Sequence, residues 1–566
     1  MTTKGKIYNP LLLVLWFVIS LMLPVFILAY TETNPLWTTV VGILLPLGFY
    51  TIFAALSRRS GRMVWAGFIF IFFSAFQIVL SYLFGNSVVA TDMFLNLITT
   101  NPGEASELLG NIYPSVIAVC IIYLPMLWVA SMHLRKKIEI PTPIRQKMIA
   151  TGFVTLLAGI LALWQGCKGE VKSVLRDEVF PINVSYNMGL GISEAHKISH
   201  FNQSSEGFTY HAHRDTTLNK REVYVLVIGE ASRAANWQLY GYDRATTPRL
   251  SKRNDLILFR SITTQSNTTH KSVPMILSSI HTSQHNELYH RSGLPALFKE
   301  AGFATYFISN QNPQGAMIDN LAHDADHVTY VGAPRYDMQL VDNMREILKS
   351  EPAQKILFIL HTYGSYFSYH QRYPREFARF TPDDDVAISL KNTTKIRNAY
   401  DNSILYTDHV MAELIGTLES MTDVCSAVYY CADHGEDLMD KEDNRFLHSS
   451  PTVTYYQLHV ASFAWFSPTY CKIFADKVQA ARFNGQAPAT TYSVFHTMAD
   501  IASISSAYVE KKASLTSLQF DYNAPRYYLD DHNNAVPLDE EIGINAMQRD
   551  LFQRAGIILG QSRWCE

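Results

Sequence analysis

Apolar positions follow one rule up to residue 165 and another after residue 221. The first stretch holds five long, almost uninterrupted apolar runs: Pro10–Tyr30, Leu36–Leu56, Met63–Phe84, Ile112–Met132 and Met148–Gln165. A helix crossing a bilayer core of about 30 Å needs roughly 20 such residues, so each run reads as a membrane span, the fifth being the shortest. The first run is too long for a signal-peptide core and has no small-residue cleavage site, so it predicts a retained span. After Arg221 the period changes. Short buried-strand patterns at Val223–Ile228, Leu256–Phe259, Ala304–Ile308, Lys355–Leu360 and Ala427–Ala432 alternate with helical patterns. The helical ones are Gly293–Ala301, Asp337–Leu348, Lys395–Ser420 and Thr491–Ile504. Such alternation predicts an α/β domain built on a mainly parallel sheet.

The predicted organisation is a transmembrane domain over 1–165, a linker over 166–221 and a globular domain over 222–566. The linker carries two short amphipathic patterns, Val171–Asp177 and Ser185–His200, which suit either a membrane surface or a solvated connection. Asn523-Ala-Pro, Asp530–Asn534 and Pro537 predict an extended tail over the globular domain.

Basic residues orient the spans. Lys4 and Lys6 precede the first, Arg58, Arg59 and Arg62 follow the second, and Arg135, Lys136, Lys137, Arg145 and Lys147 follow the fourth. The alternate loops, Thr31–Pro35 and Asn86–Asn111, carry no Lys or Arg. The amino terminus is therefore expected in the cytoplasm. Five spans then carry everything after residue 166 across the membrane, into the periplasm if the cell is a bacterium with an inner membrane.

Bulk properties add little but exclude something. The 566 residues exceed one ordinary domain, and a net charge of −3 gives no reason to expect nucleic acid. Six cysteines are present, five of them beyond the spans: Cys167, Cys425, Cys431, Cys471 and Cys565. That compartment permits disulfides. Cys425 and Cys431 on one strand would stand about 20 Å apart, against the roughly 7 Å limit between bridged Cα atoms. The odd count leaves a free thiol, and the spacing matches no Cys-rich zinc motif.

The chemistry gathers at strand ends. One apolar strand stops at Glu230, and another stops at Asp433-His434-Gly435-Glu436. Ligands of parallel α/β sheets bind beyond the carboxyl ends of strands, so Glu230, Asp433 and His434 are predicted to meet. Carboxylate and imidazole donors suit a divalent metal, zinc in particular. Singly, each acid also has a structural reading, Glu230 beside a helix dipole and Asp433 as an N-cap. Gly435 would allow a sharp turn. The hydroxyl-rich segment Thr263–Met275 reads as a polar turn or as the source of a nucleophile. In it Ser272 is expected to cap a helix with Pro274 in its first turn, placing Thr268–His270 at a helix mouth suited to phosphate. His448 and His459 are candidates for a second metal or a substrate phosphate, and His361, His370 and Arg372 follow another strand.

Together these segments resemble the phosphoethanolamine transferases of Gram-negative inner membranes, the lipid A modifying and colistin-resistance enzymes of the alkaline phosphatase/sulfatase superfamily. The matching stretches are Val227-Ile-Gly-Glu230, Asn267-Thr-Thr269-His-Lys-Ser-Val-Pro274, Arg372-Tyr-Pro374, Asn398-Ala-Tyr-Asp-Asn402, Asp433-His-Gly-Glu436, Leu447-His448 and the run around His459. The resemblance covers nearly the whole chain. It implies five transmembrane helices and a sulfatase-like periplasmic sandwich. It further implies one tight Zn2+ site made by Glu230, Thr269, Asp433 and His434, with Thr269, five residues before Pro274, as the nucleophile. The implied reaction moves phosphoethanolamine from phosphatidylethanolamine to lipid A, lipopolysaccharide core or another envelope glycan through a phosphoethanolamine-threonine. Under the same resemblance, His448, His459 and His370 would bind the transferred phosphate or a second metal, and Asn310, Gln311 and Tyr366 would line the substrate pocket. Tyr366 stands where the family often has histidine, which argues against a tight second metal.

Two alternatives share these features: a phosphoglycerol transferase of the same superfamily, and a membrane-anchored binding protein with an inactive site. A sulfatase of the formylglycine type is disfavoured, because Ser272-Val-Pro-Met-Ile276 ends in isoleucine where arginine is required.

Overall fold

The structure is a computed structural model describing residues 8–31, 35–84, 90–94, 102–166, 171–214, 216, 218–313, 317–332, 336–386, 388–441, 445–449, 453–538 and 546–557. Cys167 and Cys565 lie outside these residues. Two compact units form, one from Met1–Phe94 with Gly103–Ile192, the other from Leu95–Pro102 with Ser193–Glu566.

The first unit is helical: α1 (Pro10–Thr31), α2 (Leu36–Ala55), α3 (Ser60–Ala66), α4 (Phe68–Phe84), α5 (Pro102–Arg135) and α6 (Thr142–Gly166). Among the described residues, four helices are long and apolar enough to cross a membrane, five if the bent pair α3–α4 counts as one span. The expected continuous run Met63–Phe84 is thus broken, by 58° at Gly67. A Cβ there would lie 2.6 Å from the Phe17 ring, so a bare backbone lets α1 press into the joint. Glycines also let α2 and α6 touch. A Cβ on Gly48 would meet the Gly152 carbonyl at 2.9 Å, and one on Gly159 would meet Leu45 at 2.7 Å. Small residues at such contacts are how helices pack where no water drives them together.

The second unit is built on a seven-stranded sheet. Its strands are β1 (Glu222–Gly229), β2 (Leu256–Leu258), β3 (Ala304–Ser309), β4 (His327–Tyr330), β5 (Lys355–His361), β6 (Cys425–Ala432) and β7 (Ser462–Phe466). They lie in the order β2-β7-β6-β1-β5-β3-β4. β1 pairs in parallel with β5 and β6, and β3 with β5 and β4, while β7 is antiparallel to β6 and β2. The expected α/β class with a mainly parallel sheet is the one observed. Two strands escaped the hydrophobic pattern. β4 is a short edge strand with alternating exposure, and β7 lies in the apolar run that begins at His459.

β1 and β6, both buried along their whole length, sit at the centre and put their carboxyl ends side by side. In β1, Tyr224, Leu226 and Ile228 join one core with Val273, Leu297, Val494 and Met498. Cys425 and Cys431 lie on one strand, both unpaired. One helix matters below, α7 (Thr269–Ile276). The tail folds back as a hairpin, β8 (Tyr527–Leu529) against β9 (Ala535–Pro537). The turn signals at Asp530–Asn534 are its loop, where Asp530 Oδ1 accepts the N–H groups of His532 and Asn534 at 2.9 and 2.7 Å.

Candidate active site

The pairing of β1 with β6 places Gly229 opposite Ala432, so Glu230 and Asp433 leave the sheet together. The Asp433 N–H donates to the Gly229 carbonyl at 2.9 Å. Thr269 enters from the first turn of α7, whose N-cap residue is Thr268. Ser272 does not cap α7 as expected. Its hydroxyl and that of Thr264 each donate to the Asp433 carbonyl at 2.5 Å, tying the Thr263–Met275 segment to the end of β6. Pro274 consequently falls within the helix rather than in its first turn.

Four side chains converge. The Thr269 hydroxyl donates to Glu230 Oε1 at 3.1 Å and stands 3.0 Å from His434 Nε2. His434 Nε2 is 3.5 Å from Glu230 Oε1 and 3.3 Å from Asp433 Oδ2. Glu230, Asp433 and His434 are wholly buried and Thr269 is 6% exposed.

Glu230, Asp433 and His434 each spend their other polar atom elsewhere. Asp433 Oδ1 accepts the N–H groups of Ala231 and His434, leaving Oδ2 buried and without a hydrogen bond. Glu230 Oε2 accepts Gln311 Nε2 at 2.8 Å. His434 Nδ1 faces the Gly435 carbonyl at 2.8 Å. A carbonyl only accepts, so the ring proton sits on Nδ1 and the Nε2 lone pair points inward. What remains facing the centre is one oxygen or nitrogen lone pair from each residue.

That donor set fits a divalent cation, zinc by chemistry. One ligand atom each from Glu230, His434 and His448 lies within 4.8 Å of the others. Burial, followed by the Asp433 charge, pushes the Glu230 carboxyl up to about 8. Burial likewise pushes Asp433 up to about 8, against the pull of the Ala231 and His434 amides. Burial, then the His448 ring, holds His434 down at about 4. Two buried carboxylates beside a neutral imidazole ask for a positive charge between them.

His448 reaches this centre, its ring 4.1 Å from that of His434. Its Nδ1 is 3.1 Å from Glu436 Oε2, and Glu436 also accepts the Tyr369 hydroxyl. Glu436 was in view as the last letter of Asp433-His-Gly-Glu436, yet no spacing rule marks it as the partner of a histidine twelve residues on. Arg233 secures the same loop, donating to the Glu436 carbonyl at 3.0 Å and to Asp440 at 2.6 Å.

The other candidates lie differently. His459 turns both ring nitrogens away, to Tyr455 Oη at 3.0 Å and the Arg260 carbonyl at 2.9 Å. His370 faces Asp385 at 3.8 Å. Tyr366 stacks on Tyr363, with the Arg372 guanidinium 3.9 Å above Tyr363. Asn310 donates to Asp337 at 2.7 Å. Gln311 orients Glu230 from behind and also reaches the Thr362 carbonyl at 3.0 Å, so these two amides brace the site's rear wall.

Gly435 is required for space. A Cβ would fall 1.9 Å from the Tyr456 carbonyl oxygen, a backbone atom held by the Glu436 N–H. Gly435→Ala is expected to push out His434 and Glu436 together. Metal content measured on the purified variant should fall by at least about tenfold; full occupancy would contradict the packing argument.

A family profile described as Sulfatase matches residues 222–504. The Kdo(2)-lipid A phosphoethanolamine 7''-transferase of Escherichia coli (strain K12) is 27% identical over 463 residues, covering 76% of this chain and 79% of that protein. Among solved structures, the integral membrane protein lipooligosaccharide phosphoethanolamine transferase A of Neisseria meningitidis is similar at TM-score 0.69 and 22% identity, over 90% of this chain and 97% of that one. The C-terminal periplasmic domain of Escherichia coli EptC in complex with Zn is similar at TM-score 0.52 and 24% identity, over 58% and 95%.

Proposed function

The chain belongs to the sulfatase family, and from that premise we propose that it is an inner-membrane enzyme transferring phosphoethanolamine from phosphatidylethanolamine to lipid A or lipopolysaccharide core at a periplasmic zinc site. The observation that carries this reading is the convergence on Thr269 Oγ1 of Glu230 Oε1 at 3.1 Å and His434 Nε2 at 3.0 Å, with Asp433 Oδ2 beside them. A hydroxyl so placed is a nucleophile in waiting. Ile276, where a formylglycine sulfatase needs arginine, turns the reading away from sulfate esters. The similarity to a protein named for transfer to Kdo(2)-lipid A supports the acceptor class.

Zinc, held by Glu230, Thr269, Asp433 and His434, would lower the pKa of the threonine hydroxyl and offset charge building on phosphorus. The chain's own groups do the rest. Thr269 attacks phosphorus, the Thr269 oxygen–phosphorus bond forms, and the bond to the diacylglycerol oxygen breaks. The threonine proton leaves on the diacylglycerol hydroxyl. An acceptor oxygen then displaces Thr269 and restores its hydroxyl. The amino terminus of α7 favours the anionic phosphoryl group, and His448, aligned by Glu436 beside His434, offers it an imidazole. The apolar helices tether the chain to the membrane that carries the donor lipid.

The test is mass spectrometry of lipid A and core from cells with and without this protein. A phosphoethanolamine addition that depends on the protein is expected. Phosphoglycerol in its place, or no protein-dependent change, would overturn the assignment.

A further inference from the structure

The family match ends at residue 504, and the β8–β9 hairpin lies beyond it. The hairpin nevertheless touches the nucleophile segment. The Leu529 N–H donates to the Gln265 carbonyl at 2.8 Å, and the Tyr528 hydroxyl donates to Asn267 Oδ1 at 2.7 Å. Asn267 Nδ2 donates to Gln457 Oε1 at 2.7 Å, and Gln457 Nε2 donates to Asp437 Oδ2 at 2.7 Å. This chain of bonds has one direction only. A carboxylate can only accept, so Asp437 fixes the Gln457 amide, which fixes that of Asn267, which takes the tyrosine proton. All four residues are under 5% exposed.

The same amides hold the backbone on both sides of His448. Gln457 Nε2 donates to the Leu447 carbonyl at 3.3 Å, and the Ser449 N–H donates to the Asn267 carbonyl at 3.1 Å. Leu447 and Ser449 both have φ of 65°, a left-handed conformation that is unfavourable for residues other than glycine. Strained backbone of this kind persists only where its surroundings over-determine it. Here the surroundings include Asn267 and Gln457, with Tyr528 behind them, beside the antiparallel pairing of Phe446–Leu447 with Asp437–Leu438.

We infer that Tyr528, Asn267 and Gln457 are positioning residues: the carboxyl-terminal hairpin braces the Thr269 turn and the His448 loop as one body. The kinetic part rests on the proposed transfer reaction; the structural part does not. Tyr528→Phe removes one oxygen, and Gln457→Met keeps the side-chain volume, so both variants of the full-length protein should fold. Hydrogen exchange should quicken at amides 265–272 and 446–449 and stay unchanged in β1 and β6. Turnover should fall roughly tenfold to a hundredfold, with KM for the lipid donor and metal content unchanged. Because Tyr528 acts through the Asn267 amide, which Gln457 also holds, the double variant should be no slower than the slower single one. Unchanged exchange at both segments, unchanged turnover, or losses that multiply in the double variant would overturn the inference. Thr269→Ala, run alongside, reports separately on the transfer reading, since its activity does not bear on the exchange result.

Discussion

Thr269→Ala is expected to lower phosphoethanolamine transfer by at least about a thousandfold, the scale of losing a covalent nucleophile. The fold should survive. The variant loses the hydrogen bond to Glu230 Oε1, worth about 1 kcal/mol, and keeps the Asp433 carbonyl anchored by Thr264 and Ser272. Transfer assayed with full-length protein in lipid vesicles, beside thermal unfolding of the same sample, separates the two effects. Normal transfer by the variant would remove Thr269 from its role. Thr268, whose buried hydroxyl has no hydrogen-bond partner, would then be the hydroxyl to replace.

Asp433→Asn should have the next largest effect, through the metal. The carboxylate divides its work: Oδ1 holds the Ala231 and His434 amides and Oδ2 faces the centre. Asparagine can keep the first role with its carbonyl. Its NH2 group then stands where Oδ2 was, 3.3 Å from His434 Nε2, and donates to that nitrogen. One substitution thereby removes a proposed anionic ligand and occupies the lone pair of a second proposed ligand. Bound zinc, counted by elemental analysis, should drop to near zero, and transfer should fall by roughly a hundredfold to a thousandfold. A variant that kept a full equivalent of zinc would show that Asp433 is not a ligand.

The sequence made some of this legible and hid the rest for physical reasons. β1 and β6 are buried on both faces, so they read as continuous apolar runs, and the acids that end them stand out. The same reasoning placed the α/β class and the helical unit. Side-chain partners carry no period. Nothing in the spacing says that Ser272 will bond the Asp433 carbonyl instead of capping α7, or that Gln311 will face Glu230. Gly435 is expected for a turn, whereas its demand is room for the Tyr456 carbonyl, set by the short helix Tyr455–Leu458. His459 sits in an apolar run beside β7, and Arg260 and Tyr455 claim its ring. The break at Gly67 depends on Phe17 from another helix. The hairpin was visible only as turn residues, because its contact with Asn267 spans the length of the domain.

The central claim is a covalent phosphoethanolamine-threonine, and it is open to direct observation. Full-length protein would be incubated in phosphatidylethanolamine vesicles without acceptor, and its intact mass measured before and after lipid A is added. The expected result is a gain of one phosphoethanolamine group, mapped by fragmentation to Thr269 and discharged when lipid A is supplied. Transfer to lipid A with no adduct at any stage, or an adduct on another residue, would contradict the account.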